Sequence, residues 1–335
     1  MITTASVHRI LHSLFHERDV ISGERKIDRF RRWNINALEH CFSGMPRGEI
    51  KNVPVIEHFT PDEIYENYIR AKQPVVLKGA AKNWRATKNW SFEYFKHNYG
   101  KDDVFIADEK FIRNKKGTCY EIKLLPYKMA DFVDAVNNGE NLYLKFLPTF
   151  RQHPELLEHI DSSSMSSWSQ NISDKYEITN EFYMGGKDSI THLHTERSHI
   201  FHACITGKKR WRLYGPENTI FLYPVPARTL FIASEVNFMD PDYDLHPWFQ
   251  FANGYETVLD KGDILYFPAY YWHAVENLTA AISVNYLWYV PVDSFISLPL
   301  MWCNGEILRK RGSGTIEQFI EFFSGRFLPG LHSQS

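Results

Sequence analysis

The chain has 335 residues, 44% of them hydrophobic and 15% aromatic, with 38 basic against 40 acidic residues and a formal net charge of −2. Such a length supports one large core, with or without helical additions, and the many rings point to a folded chain. The near balance of charge argues against a dedicated nucleic-acid binder, which carries a basic excess. Cys41, Cys119, Cys204 and Cys303 are scattered with no C-x-x-C pair, which argues against a disulfide framework or a structural zinc site.

Residues 1–50 read as a charged helical extension, with Val7, Ile10, Leu11 and Leu14 at helical spacing and a turn-rich end at 43–48. His8, Arg9, His12, His16 and Glu17 interrupt any apolar run of the signal-peptide kind. No stretch reaches the roughly 20 apolar residues of a membrane helix. The expectation is a soluble, intracellular, cytoplasmic protein. Thr60, Pro61, Asp62 and Glu63 form a helix start, with a capping residue, proline in the first turn and two acids after it. Residues 73–79 read as a short buried strand closed by Gly79, and Trp84 and Trp90 flank a helical stretch ending near Gly100. Further strands are expected at 103–106 and 142–146, with a helix over 127–137 between them.

From Glu181 the texture changes to short β-branched and aromatic runs at 182–184, 198–205, 210–214, 264–267 and 281–288. Many short strands in one region predict a sandwich or closed barrel. After Pro291 the pattern turns helical again, notably over 316–323. There is no internal repeat and no low-complexity tract.

His194 and Glu196 stand two residues apart, so in extended backbone both side chains leave on one side and can reach one ion. A third donor must come from elsewhere. The run from Gly262 to His273 supplies it, as a strand that turns at Pro268 and delivers His273. Two histidines and one carboxylate on one face of an ion leave positions open, the arrangement of non-haem iron(II) oxygenases.

The stretch Thr191-His192-Leu193-His194-Thr195-Glu196, followed by Gly207-Lys208-Lys209-Arg210-Trp211-Arg212-Leu213-Tyr214, resembles the T-x-L-H-x-D…G-x-K-x-W-x-L core of the JmjC and cupin-like hydroxylases. Gly262-Asp263-Ile264-Leu265-Tyr266-Phe267-Pro268 with Tyr271-Trp272-His273 is similar to their G-D-x-L-y-i-P-x-x-W-x-H segment. Gln73-Pro74-Val75-Val76 with Gly79 and Trp84, residues 234–241, and Val284-Asn285-Tyr286 extend the likeness over roughly residues 53–289.

The resemblance implies a mainly β fold with helical flanks, a double-stranded β-helix (jelly-roll) core over about 181–290 inside a domain at 51–292, and a C-terminal helical segment at 293–335. It implies iron(II) held by His194, Glu196 and His273, and 2-oxoglutarate as cosubstrate. Lys209 stands where the family places the cation for the far carboxylate of that molecule; Thr191, Tyr143 and Asn285 match residues that line the same site. Read without the family, Lys209 belongs to an exposed basic run, Tyr143 is a core aromatic and Asn285 a strand-end polar residue.

Three positions depart from the pattern. Glu196 replaces the commoner Asp and is long enough to ligate. Ile200 and Cys204 stand where related asparaginyl hydroxylases carry Asn and Gln, and an isoleucine has no hydrogen bond to give. Strand alternation places Ile200, His202 and Cys204 on one face, which makes His202 a candidate for the substrate pocket.

The resulting expectation is an iron(II)- and 2-oxoglutarate-dependent dioxygenase that uses O2 and hydroxylates a protein, peptide or amino-acid side chain, releasing succinate and CO2. The alternatives are a small-molecule tailoring hydroxylase of the same class and a metal-binding cupin that does not use 2-oxoglutarate. Nucleic acid and membrane are not expected partners. Apolar Phe319, Phe322 and Phe323 in the C-terminal helical segment suit either a homodimer contact, as in related hydroxylases, or packing against the barrel of their own chain.

Overall fold

The computed structural model describes residues 4–22, 27–114, 117–147, 149–172, 178–225 and 232–293. The helix expected over 316–323 and the dimer contact assigned to Phe319, Phe322 and Phe323 lie outside the described residues.

The strands, in chain order, are β1 (Ile50–Asn52), β2 (Val55–Ile56), β3 (Val75–Leu77), β4 (Asp103–Asn114), β5 (Gly117–Lys128), β6 (Tyr143–Leu147), β7 (Ile178–Gly185), β8 (Ile190–Thr195), β9 (His199–Thr206), β10 (Lys209–Tyr214), β11 (Ile232–Ala233), β12 (Gly254–Leu259), β13 (Ile264–Phe267), β14 (Trp272–Asn277) and β15 (Ala281–Trp288). They form a smaller sheet in the order β1-β12-β10-β14-β8-β11 and a larger one in the order β2-β3-β13-β9-β15-β7-β6-β4-β5. Successive strands β7 to β10 and β12 to β15 are dealt out between the two sheets, the crossing pattern of a jelly roll. The expected mainly β core with helical flanks is what the chain builds.

Inner faces of the two sheets meet in a cluster that includes Ile200, Cys204, Trp211, Leu213, Leu265, Phe267, Val275 and Leu287. On the outer face of the larger sheet, the helices Phe92–Tyr99 and Met129–Asn137 bury Phe95, Phe132 and Val133 against Phe182, Met184, Ile282 and Val284. Thr60 and Glu63 form the full capping box at the start of Pro61–Ile64, which continues as a π-helical turn over Tyr65–Ile69. The glycine and aspartate of the Gly262-Asp263 pair have separate tasks. Gly262, at φ +91°, makes a left-handed turn, and the buried Asp263 carboxylate accepts from the Gly79 and Asp260 amides and from Lys78.

Helices α1 (Thr4–Ser22) and α2 (Arg29–Phe42) lie against the smaller sheet's side of the molecule. Leu38 and Phe42 of α2 share a core cluster with Phe221, Trp248 and Phe249, and the Phe42 ring stands 5.2 Å from that of Phe221. Arg31 pairs with Asp19 out of water. Val7, Ile10 and Leu14, whose spacing signals the first helix, face outward; its buried side is Phe15, His16, Glu17 and Asp19. The spacing thus reports helix correctly but not its packing, because the buried side carries polar groups that α2 meets, His8 by Asn34 at 2.8 Å and Asp19 by Arg31. No helix among the described residues is long and apolar enough to cross a membrane.

Candidate active site

His194 lies near the end of β8, Glu196 just past it, and His273 is the second residue of β14. The two strands are neighbours, and His273 sits directly opposite His194. Residues opposite each other in an antiparallel pair point to the same side, and the two rings stand 4.0 Å apart, centre to centre. His273 Nε2 lies 4.0 Å from Glu196 Oε1, and ligand atoms of all three residues lie within 4.8 Å of one another.

Each imidazole is oriented from behind. His194 Nδ1 meets the His192 carbonyl at 2.7 Å and His273 Nδ1 the Tyr271 carbonyl at 3.0 Å. With each Nδ1–H given to a carbonyl, the Nε2 lone pairs are left for an ion. Burial holds His194 well below the ordinary histidine range and brings His273 down to about 4, so both are neutral at pH 7. The Glu196 carboxyl is pushed up to about 8, first by burial and then by the nearby Glu181. The turn after β13 secures the carboxylate's backbone, as Tyr270, left-handed at φ +59°, donates its amide to the Glu196 carbonyl at 2.7 Å. Two neutral imidazoles and one carboxylate, gathered on one side of a point, fit a divalent ion with open positions.

Register arranges the interior in three layers. Leu213, His273 and His194 lie across the smaller sheet at the metal level, facing Leu287, Ile200 and Phe267 of the larger one; the Phe267 ring is 4.7 Å from that of His273. Trp211, Val275 and Thr191 form the next level, opposite Glu181, Asn285 and His202. Lys209 lies deepest, with Tyr183, Ser283 and Cys204 across from it.

Thr191 reaches this interior face through a bulge. It lies three positions before His194, a spacing that in a regular strand puts the two on opposite faces. Between His273 and Val275, β14 advances two residues while β8 advances three, so the extra residue restores Thr191 to the side of His194.

Lys209 is fully buried, and its ammonium donates to Ser283 Oγ at 2.7 Å and Tyr143 Oη at 3.0 Å. Burial lowers its pKa to about 8, which leaves it charged at pH 7. Tyr143 lies opposite Gly185 on β7, and a Cβ on that glycine would come within 2.6 Å of the Tyr143 ring. Lys145, two residues on, is also buried and donates to the Ile190 carbonyl at 2.9 Å.

Asn285 gives its amide N–H groups to Glu181 and Tyr183, both at 3.1 Å, and meets His202 Nδ1 with its oxygen at 2.6 Å. Ile200 and Cys204 are buried on the same face as His202. Ile200 packs in the inner apolar cluster, and the Cys204 thiol, pushed up to about 12 by burial, points to the carbonyls of Thr206 and Gly207.

All ten residues singled out in the sequence therefore line one interior. Sequence reasoning met Trp211 only as a motif residue with no role of its own, and passed over Glu181, Tyr183, Ser283 and Lys145. The signal was available for Ser283, two before Asn285, and for Glu181 and Tyr183, which alternate with apolar Phe182 on β7.

A family model described as a cupin-like domain matches residues 61–294. Lysine-specific demethylase 8 of Xenopus tropicalis is 28% identical over 242 residues, covering 70% of this chain and 51% of that protein. The 2-oxoglutarate and iron-dependent oxygenase JMJD4 of Gallus gallus is 26% identical over 286 residues, covering 76% and 63%. The bifunctional peptidase and (3S)-lysyl hydroxylase JMJD7 of Homo sapiens is 21% identical over 257 residues, covering 69% and 81%. The chain spans about half the length of the first of these relatives.

Proposed function

The chain belongs to the cupin-like domain family, and from that premise we propose that it is an iron(II)- and 2-oxoglutarate-dependent oxygenase that hydroxylates a protein, peptide or amino-acid side chain. The observation that carries this reading is one interior holding both a three-donor group at its metal level and a buried, charged lysine two layers deeper. A cupin that uses a metal alone gives Lys209, Tyr143 and Ser283 no joint purpose. The relatives named as a lysine demethylase and a lysyl hydroxylase support a protein or peptide substrate.

In this reading His194, Glu196 and His273 hold the iron. With iron(II) and 2-oxoglutarate bound, the chemistry supplied is activation of O2 coupled to oxidative decarboxylation of the cosubstrate to succinate and CO2. Lys209 binds the far carboxylate as a point charge, with the Tyr143 and Thr191 hydroxyls completing its hydrogen bonds. Ser283 and Tyr143 orient the Lys209 ammonium before the ligand arrives, so little order has to be imposed on binding. Ile200, Phe267 and Leu287 exclude water around the metal level.

The test is anaerobic titration of the iron(II)-loaded chain with 2-oxoglutarate, followed by the weak visible band of a chelated 2-oxo acid. A saturable band, lost in His194→Ala and weakened in Lys209→Ala, is expected. No band despite bound iron removes the 2-oxoglutarate reading.

A further inference from the structure

The level between the metal and Lys209 is polar where close packing alone calls for apolar side chains. Glu181, Asn285 and His202 lie side by side across β7, β15 and β9. The Trp211 ring faces them, its centre 4.5 Å from that of His202, edge to face.

The network fixes where the protons are. Both amide N–H groups of Asn285 are given away, to Glu181 and Tyr183, so its oxygen faces His202 and takes the Nδ1–H. A neutral imidazole protonated at Nδ1 carries its lone pair on Nε2. His202 Nε2 and Trp211 Nε1 are both buried, and neither has a hydrogen-bond partner among the described residues. One is an acceptor and the other a donor, on walls that face each other. Buried polar atoms are nearly always paired, so two complementary orphans in one pocket point to a ligand.

We propose that His202 and Trp211 form a hydrogen-bonding station halfway along the cosubstrate pocket, for a group that donates to His202 Nε2 and accepts from Trp211 Nε1–H. That group is a water held beside the bound dicarboxylate, because 2-oxoglutarate carries no hydrogen-bond donor of its own; a ligand with an N–H at this level can take the water's place at His202. The station replaces hydrogen bonding that Ile200 and Cys204 do not offer, and it makes the pocket sensitive to the central atoms of its ligand. The proposal rests on the reading of the pocket as a 2-oxoglutarate site.

The experiment is calorimetric titration of the manganese-loaded chain with 2-oxoglutarate and with N-oxalylglycine, whose N–H replaces a methylene of the chain. Wild type is compared with His202→Phe, His202→Gln and Trp211→Phe, each checked for a native thermal transition. If the N–H of N-oxalylglycine displaces the water and donates to His202, His202→Phe weakens N-oxalylglycine about tenfold relative to 2-oxoglutarate, and His202→Gln, which keeps an acceptor, recovers most of the preference. If the water stays with both, the two ligands lose affinity together in His202→Phe and Trp211→Phe and regain it in His202→Gln. Should His202→Phe fail to fold, Trp211→Phe, which removes the donor, carries the test, with His202→Gln as the variant that keeps its hydrogen bond. Affinities unchanged for both ligands in the folded variants overturn the station and leave the cosubstrate site standing. Failure of either ligand to bind the wild-type, metal-loaded chain removes the cosubstrate reading itself.

Discussion

Lys209 and Ser283 meet across the barrel, one from each sheet, with 2.7 Å between the ammonium and the hydroxyl. A lysine brought wholly out of water is held in place by neutral oxygens from Ser283 and Tyr143. Neither partner cancels its charge, so the charge remains to be met by an anion.

The pH dependence of cosubstrate affinity follows from that arrangement. Burial has depressed the Lys209 pKa to about 8, so the free protein carries the ammonium below that pH and loses it above. Binding of 2-oxoglutarate is expected to be flat below pH 7 and to weaken with rising pH, approaching tenfold per unit above about pH 9. Calorimetric dissociation constants from pH 6.5 to 9.5 check it; a flat profile through pH 9.5 contradicts it.

Replacing the lysine's partner tests orientation without removing charge. Ser283→Ala deletes one of two hydroxyls that hold the ammonium, and a hydrogen bond to a charged group is worth about 1.5–3 kcal/mol. We expect 2-oxoglutarate affinity to fall by about tenfold, with metal affinity unchanged because Ser283 lies two layers from the metal level.

Metal uptake is expected to release close to one proton at pH 7. His194 and His273 are already neutral there, whereas the Glu196 carboxyl, raised to about 8, is mostly protonated and must ionise to ligate. Titrations in two buffers of different ionisation enthalpy give the number. Release of two or more protons contradicts the neutral histidines.

Gly185→Ala tests the wall behind Tyr143. The added Cβ would meet Tyr143 at 2.6 Å, Ser189 Oγ at 2.8 Å and Asn277 Nδ2 at 2.9 Å, so the ring must move. Overpacking of this kind costs about 1–3 kcal/mol. A lower thermal midpoint and weaker 2-oxoglutarate binding are expected together.

Much of this site was legible because its residues come in short, ordered motifs. The i, i+2 spacing of His194 and Glu196, and the strand-turn-strand run into His273, are local patterns. The 264–267 strand was marked by an uninterrupted apolar and aromatic run, and the 281–288 strand by one broken only at Ser283 and Asn285. Strand β4 was foreseen over four residues and runs for twelve, because its continuation through Glu109 and Lys110 lacks an apolar signature and is specified by pairing with β5. Glu181 and Ser283 alternate with Tyr183 and Asn285, and Trp211 stands in a motif, yet the roles of all three went unread for a related reason. Their importance lies in who faces them across the barrel, and cross-sheet neighbours leave no spacing in the sequence to read.

The bulge in β8 has a consequence for how this chain tolerates change in length. Removing one residue between Thr191 and His194 would repair the ladder with β14 and leave both side chains inward, because β8 would then advance two residues for the two of β14. Straightening the strand at its present length would instead turn either the threonine or the histidine outward. In any lineage that keeps the chemistry, the odd spacing and the bulge should therefore be gained or lost together.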